Sequence, residues 1–281
     1  MRTLLGLSLL FSLSVHASQL QAADAKIVLI AGRPSHGRGE HEFNAGTKLL
    51  VKCLKEVQGI NPVFVAGGWP EDESVFNGAQ AVVFFMDGGA GHPMIQGDRL
   101  KTMQRLMDQG VGLVCLHYAV EFPKGKVGDQ LLEWLGGYYE TGYSKNPHND
   151  ITVTPAPNHP ITRGVEPFRA KDEWYYFIRF RPNDPRVTPI LTGKNFRDAA
   201  GKLDEGEQTL AWATERADGG RSFGFTGAHT HTNWGIPEFR TLVLNAILWA
   251  AKVDVPSSGV RCEITADDLA KNLDPKPARK K

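Results

Sequence analysis

Val111–Leu116 reads VGLVCL and runs straight into His117-Tyr118-Ala119-Val120-Glu121. A short, unbroken apolar run that stops at a polar loop suits a strand buried on both faces. Lys26–Ala31 (KIVLIA) shares this texture and ends at Gly32, and Ala81–Met86 (AVVFFM) ends in Asp87-Gly88-Gly89-Ala90-Gly91. Asn61–Val65 reads as a shorter strand. Between these runs the period changes. Phe43–Val57 carries Leu49, Leu50, Cys53, Leu54 and Val57 at helical spacing, and Arg99–Gln109, with Asp98 as its cap, places Leu100, Met103, Leu106 and Met107 on one face. Strands alternating with helices predict an α/β fold with a doubly wound, mostly parallel sheet.

After Gly136 short extended segments follow one another at Ile151–Thr154, Trp174–Phe180, Val187–Thr192, Thr209–Thr214 and Arg221–Thr226, split by Pro and Gly. They predict a β-rich C-terminal extension of the same sheet. Pro237 then opens a last helix with Phe239, Leu242, Val243, Ala246, Ile247 and Ala250 on its buried side. One domain over 24–253 accounts for these elements. Residues 254–281 form a polar, basic tail, ending Pro275-Lys276-Pro277-Ala278-Arg279-Lys280-Lys281, that is expected to be disordered.

The composition fits a globular chain: 281 residues, 41% hydrophobic and 22% charged, with a formal net charge of +1. Near-neutrality argues against a nucleic-acid partner, which calls for a basic excess. The three Cys are too few for a disulfide scaffold or a thiolate zinc module. Cys53 and Cys115 read as buried core thiols and Cys262 lies in the polar tail; the spacing allows a disulfide without demanding one. Residues 1–23 combine Arg2, an apolar stretch over Leu4–Val15 and small residues at Ala17, Ser18, Ala22 and Ala23, the order of a secretory signal peptide. Export to the periplasm or medium is expected. That stretch is shorter than the roughly 20 residues a membrane span needs, and no second run is longer, so the mature chain is expected to have no span.

Ligands of open α/β sheets bind beyond the carboxyl ends of the strands. His36, His41, His92, His117 and His229 all fall just past predicted strand ends, with His231 two residues on. Such a concentration points to a metal or catalytic site. His229-x-His231 puts two imidazoles on one side of an extended segment. With His117 they form a candidate set for a divalent ion such as Zn²⁺, or else a hydrogen-bonded loop. Asp87–Gly91 either offers backbone amides to a developing oxyanion or is a turn that needs positive φ. Glu173, in Asp172-Glu173-Trp174-Tyr175, is a candidate general acid/base. Trp174, Tyr175 and Trp234 are candidate sugar-stacking surfaces. The chain has no GxGxxG after a strand, no GxxxxGK[ST], no GxSxG and no HExxH, which argues against a nucleotide cofactor, serine esterases and zincins.

Gly112–Ala119, His159-Pro160-Ile161-Thr162-Arg163-Gly164, Asp172–Tyr175, Gly227-Ala228-His229 and Leu244–Ala251 together resemble the ThuA-like (trehalose utilisation) family, over about Ile27 to Val253. The resemblance implies a fold like that of class I glutamine amidotransferases. In that comparison Asp87–Gly91 looks like the oxyanion-side loop, His229 looks like the catalytic His, and His117 stands where the nucleophilic Cys would be. An imidazole there forms no thioester, so glutamine hydrolysis is not expected. The implied substrate is a small carbohydrate, a disaccharide or an oxidised (keto) sugar. The expected function is an exported enzyme of carbohydrate catabolism. In it His117, Glu173, His229 and Asp87 act on a substrate bound by His41, Gly88, Gly89, Tyr118, Trp174, Tyr175 and Trp234. The alternative is a non-catalytic carbohydrate-binding protein on the same fold.

Overall fold

The apolar runs around Ile27, Val83 and Val114 lie side by side in the parallel half of one sheet. A computed structural model describes residues 24–276, so the expected export segment, 1–23, lies outside the described residues. In chain order the elements are β1 (Ala25–Ala31), α1 (Phe43–Lys55), β2 (Ile60–Val65), β3 (Ala79–Phe85), α2 (Arg99–Asp108), β4 (Gly112–Leu116), α3 (Lys126–Trp134), β5 (Gly137–Tyr138), β6 (His148–Pro155), β7 (Phe168–Glu173), β8 (Arg179–Phe180), β9 (Val187–Gly193), β10 (Phe196–Arg197), β11 (Leu203–Asp204), β12 (Gln208–Glu215), β13 (Arg221–Phe225), α4 (Pro237–Ala250) and α5 (Ala266–Ala270). The fold is mixed α/β around a large sheet of nine strands in the order β2-β1-β3-β4-β13-β12-β9-β6-β7.

The strands β2-β1-β3-β4-β13 run parallel. From β13 onward each neighbour reverses, so β12, β9, β6 and β7 form an antiparallel half. Successive side chains of a strand point to opposite faces, and both faces are apolar here. Ile27, Leu29, Val83, Phe85, Val114 and Leu116 pack with α1 and α4 on one side. Val28, Ile30, Val82, Phe84, Leu113 and Cys115 pack with Met103, Leu106 and Met107 of α2 and with Leu131 and Trp134 of α3 on the other. Among the described residues no helix is long and apolar enough to cross a membrane.

Several expectations are corrected. Asp98 does not cap α2 with its side chain; it forms an exposed ion pair with Lys101 at 2.9 Å instead. The strand expected at Trp174–Phe180 does not form as one: β7 ends at Glu173, the chain leaves the sheet with positive φ at Phe177, and only Arg179–Phe180 is extended, as β8 paired with β5. The apolar residues that suggested a strand are core residues of an irregular segment.

The tail is the largest correction. From residue 254 to residue 276 it packs on the domain, with Val255, Val260 and Cys262 buried and Ile264 and Leu269 packed against the core; 277–281 lie outside the described residues. Cys262 forms a disulfide with Cys53 of α1, so Cys53 is not the free thiol expected. Cys115 is the free cysteine, and it is buried. Thr265 and Asp268 close a capping box on α5, and Lys52 pairs with Asp268 at 2.8 Å. The His159–Gly164 segment has a structural task here. Asn245 of α4 donates to the carbonyls of Ile161 and Arg163, each at 2.9 Å, and accepts from the Val260 amide at 2.8 Å, which ties that turn to the tail.

Candidate metal centre

β7 is antiparallel to β6, which is antiparallel to β9; two further reversals through β12 return to β13. β7 therefore points the same way as the parallel strands. Its last residue, Glu173, emerges on the edge where β1, β3, β4 and β13 end. Five strand ends thus deliver His41, Asp87, His117, Glu173 and His229 to one place.

His41, His117, Glu173 and His229 each turn one ligand atom into a common centre, all within 4.8 Å of one another. His117 Nε2 lies 3.0 Å from His41 Nε2, and His41 Nε2 lies 2.9 Å from His229 Nδ1. Glu173 Oε2 is 3.3 Å from His229 Nδ1 and 3.5 Å from His117 Nε2. The rings of His41 and His117 are fully buried. Outside the centre, His117 Nδ1 meets the Thr226 carbonyl at 2.9 Å and His41 Nδ1 meets Asp87 Oδ1 at 3.2 Å. Those partners only accept, so each Nδ1 carries a hydrogen; His41, kept neutral by burial, turns an Nε2 lone pair inward, and a neutral His117 does the same. His229 Nε2, on the far side of its ring, is buried without a partner, with Glu40 Oε1 at 4.0 Å.

The charges follow from this setting. Burial, then the neighbouring His117, pushes the His41 imidazole far below its ordinary range and keeps it neutral. Burial opposes ionisation of Glu173, but the imidazoles of His117 and His229 beside it outweigh it and hold the carboxyl well below the usual range. Glu173 is therefore a carboxylate.

The backbone is strained here. His36, His41 and His117 have φ of 59°, 45° and 53°, and Ala228, next to His229, has 91°. Non-glycine residues adopt such angles at a cost of order 1–3 kcal/mol each, and clusters of them gather at functional sites. Asp172, buried at the end of β7, accepts the amides of Ala228 at 2.7 Å and Thr230 at 2.9 Å, bracing the turn that carries His229.

The other residues picked from the sequence divide into those at the rim and those elsewhere. His36 is exposed and lies tilted by 31° against His41 with ring centroids 3.6 Å apart, and the half-buried Tyr118 ring stands 5.7 Å from His41. Gly88 sits where a Cβ would come within 2.1 Å of the Tyr118 carbonyl, and the Gly89 amide is already bonded to the Glu121 carbonyl at 2.9 Å. The turn reading of Asp87–Gly91 is what the geometry displays, with Gly89 at φ 66°. The metal set His117, His229, His231 is not the one assembled: His231 starts a short helical turn, and its Nε2 bonds the Leu269 carbonyl at 2.9 Å. His41 takes that place. His92 is also elsewhere, buried and stacked on Phe122 at 4.4 Å. Trp174 and Trp234 are fully buried and Tyr175 nearly so, so none of the three is a stacking surface. Tyr175 does touch the site, its hydroxyl 3.4 Å from His117 Nε2. Sequence reasoning passed over Asp172, Glu40 and His148, whose ring stands 4.9 Å from His229. For His148 the signal was available only through register, since it pairs with Glu173 across β6 and β7.

The profile of the ThuA family, described as trehalose utilisation, matches residues 28–250. The chain belongs to the ThuA family. That description supports a carbohydrate-related role for this ThuA-family chain. A crystal structure described as a thua-like protein from Bacteroides uniformis superposes with a TM-score of 0.59 at 16% identity, covering 85% of this chain and 96% of that one. Another, described the same way and from Parabacteroides merdae, gives 0.58 at 18% identity, covering 88% and 99%. At such identities the likeness is one of fold. No curated protein matches the chain.

Proposed function

We propose that His41, His117, His229 and Glu173 bind a divalent cation such as Zn²⁺, and that the protein is an exported enzyme of carbohydrate catabolism acting on a disaccharide or an oxidised sugar. The observation that carries this is the 3.0 Å approach of His117 Nε2 to His41 Nε2, when each ring has its hydrogen on the opposite nitrogen. His229 can place one hydrogen among the four atoms without becoming charged. That leaves unprotonated nitrogens and a carboxylate oxygen in mutual contact, with only the Tyr175 hydroxyl, at 3.4 Å, as a weak further donor. A cation removes the repulsion. Ligand atoms about 2.0–2.1 Å from a tetrahedral zinc stand roughly 3.3–3.4 Å apart; four of the six separations, at 2.9–3.5 Å, bracket that value, and all six lie within 4.8 Å. Asp87 behind His41 and the Thr226 carbonyl behind His117 match the outer hydrogen bonds that orient metal-bound imidazoles.

When bound, a divalent ion polarises a carbonyl or makes hydroxide available from water at neutral pH. The chain's own residues would do the rest. Tyr118 and Glu121 line a cavity of about 460 Å³ with Gly88–Gly91, Lys124 and Thr141, and the Tyr118 ring, 5.7 Å from that of His41, connects it to the centre. Burial raises both the Tyr118 phenol and the Glu121 carboxyl, which favours proton-donating forms facing a substrate hydroxyl or carbonyl. With an imidazole at residue 117, on a strained turn directly after β4, the site has no thiol for glutamine hydrolysis. The winding of β1, β2 and β3, with β1 between the other two, favours a doubly wound scaffold of the amidotransferase kind. The Cys53–Cys262 disulfide favours export, since such bonds persist in oxidising compartments.

The test is metal analysis of the purified full chain, zinc titration, and assay of disaccharides and keto-glycosides with His117→Ala and His229→Ala. One equivalent of metal, and loss of both metal and turnover in the variants, is expected. No bound metal at saturating zinc, or turnover unchanged in both variants, would overturn the reading.

A further inference from the structure

The loop between β1 and α1 carries His36 and His41, both in left-handed backbone conformations. Its C-terminal end forms a short bridge with the turn after β13, the His41 amide donating to the His229 carbonyl at 3.0 Å and the His231 amide to the Gly39 carbonyl at 2.9 Å. The side-chain contacts that close the loop come from residues near 276. The Lys276 ammonium donates to the carbonyls of Ser35, Glu40 (2.9 Å) and His41 (3.1 Å). An ammonium has three hydrogens and no acceptor, so these three carbonyls satisfy it completely, and they lie at the two ends of the His-bearing loop. Next to it, the Asp274 amide donates to Glu42 Oε2 at 2.6 Å, and Glu42 Oε1 accepts the Gly39 amide at 2.8 Å. Asn44 Nδ2 donates to Asp274 Oδ1 at 2.5 Å. The segment bearing these residues is anchored upstream by the Cys53–Cys262 disulfide and by the Leu269 carbonyl on His231.

We propose that Lys276 is a positioning residue for the metal centre: by gathering the Ser35, Glu40 and His41 carbonyls it closes the loop and holds His41 with its Nε2 aimed at His117 and His229. The proposal rests on the cation-binding reading of that centre. Lys276 touches none of the ligand atoms; it acts through the backbone of His41. Without it, three carbonyls at a strained loop turn to water, the left-handed conformations relax, and the centre loses its pre-formed geometry.

The experiment uses the full chain with Co²⁺ as the probe, because the visible bands of cobalt report its coordination, and compares Lys276→Met, Lys276→Arg and, as a control for charge, Lys271→Met. Lys271 is an exposed neighbour on the same segment. Cobalt affinity at least tenfold weaker in Lys276→Met, with an altered spectrum, recovery in Lys276→Arg and wild-type behaviour in Lys271→Met is the expected result. Amide hydrogen exchange gives a second readout that needs no metal: the His41 amide, bonded to the His229 carbonyl at 3.0 Å, is expected to exchange at least tenfold faster in Lys276→Met. Wild-type cobalt affinity and exchange in Lys276→Met would overturn the proposal. If the wild-type chain bound no cobalt, the metal reading would fall instead, and unchanged exchange would still overturn the role of Lys276, while faster exchange would uphold its hold on the loop.

Discussion

Asp172 holds His229 without touching it. Its carboxylate accepts the amides on either side of that residue, Ala228 at Oδ2 and Thr230 at Oδ1, and Oδ1 also accepts the Glu173 amide at 3.0 Å. One buried side chain thus fixes the backbone under two of the proposed ligands.

Asp172→Asn is therefore expected to injure both stability and the site. Whichever way the amide turns, its nitrogen faces a backbone N–H that loses its acceptor. An orphaned buried donor costs about 1–3 kcal/mol. Urea unfolding should show a loss of that size, and zinc affinity should fall with it; a variant with wild-type values in both would refute the bracing role.

Removal of the cation should be visible as a loss of stability. A ligand at a hundred times its Kd stabilises the folded chain by about 2.7 kcal/mol. Heating scans with excess zinc and with chelator should separate by several degrees, and Glu173→Gln should shrink that separation. Superimposed scans of the wild-type chain would argue against any bound ion.

The Cys53–Cys262 bond closes a loop with a sequence separation of 209. Cross-links over long loops contribute roughly 2–5 kcal/mol. Cys262→Ser, and the wild-type chain under reductant, should each unfold at lower denaturant by a matching amount; equal midpoints with and without reductant would contradict this.

His92 gives a pH dependence of definite sign. Burial lowers its imidazole to about 4, against the ordinary 6.5. Between those values the unfolded chain binds a proton that the folded chain does not, so stability falls as pH drops through 6.5 toward 4. The contribution is about 3 kcal/mol at one shifted pKa unit per 1.36 kcal/mol. Other buried imidazoles act in the same direction, so the informative quantity is a difference. His92→Asn, which keeps an acceptor for the Met94 amide now bonded to Nδ1 at 3.1 Å, should flatten the acid limb of stability against pH. An unchanged slope would show that His92 protonates freely in the folded state.

Much of the parallel half of the sheet was legible in local pattern. Unbroken apolar runs at Ile27, Val83 and Val114 mark strands covered on both faces, and the apolar stripe of α1 marks a helix. Period and run length depend only on neighbours in the chain, so a sequence displays them. The alternation was misread where apolar density came from burial of an irregular segment, as at Trp174–Ile178. The tail was misread because its polarity outweighs scattered apolar residues, although Val255, Val260, Cys262, Ile264 and Leu269 find a surface to pack on.

The sequence by itself determined that imidazoles collect past the strand ends, since that follows from where apolar runs stop. It could not determine which of them meet. His41, not His231, completes the cluster because a left-handed turn, closed by Lys276 from the other end of the chain, swings it inward, while His231 is drawn to the Leu269 carbonyl. Glu173 joins because an even number of strand reversals returns β7 to the direction of β4. Which side chains meet thus depends on strand direction and on hydrogen bonds between residues more than two hundred positions apart, and neither is recorded in local composition or spacing.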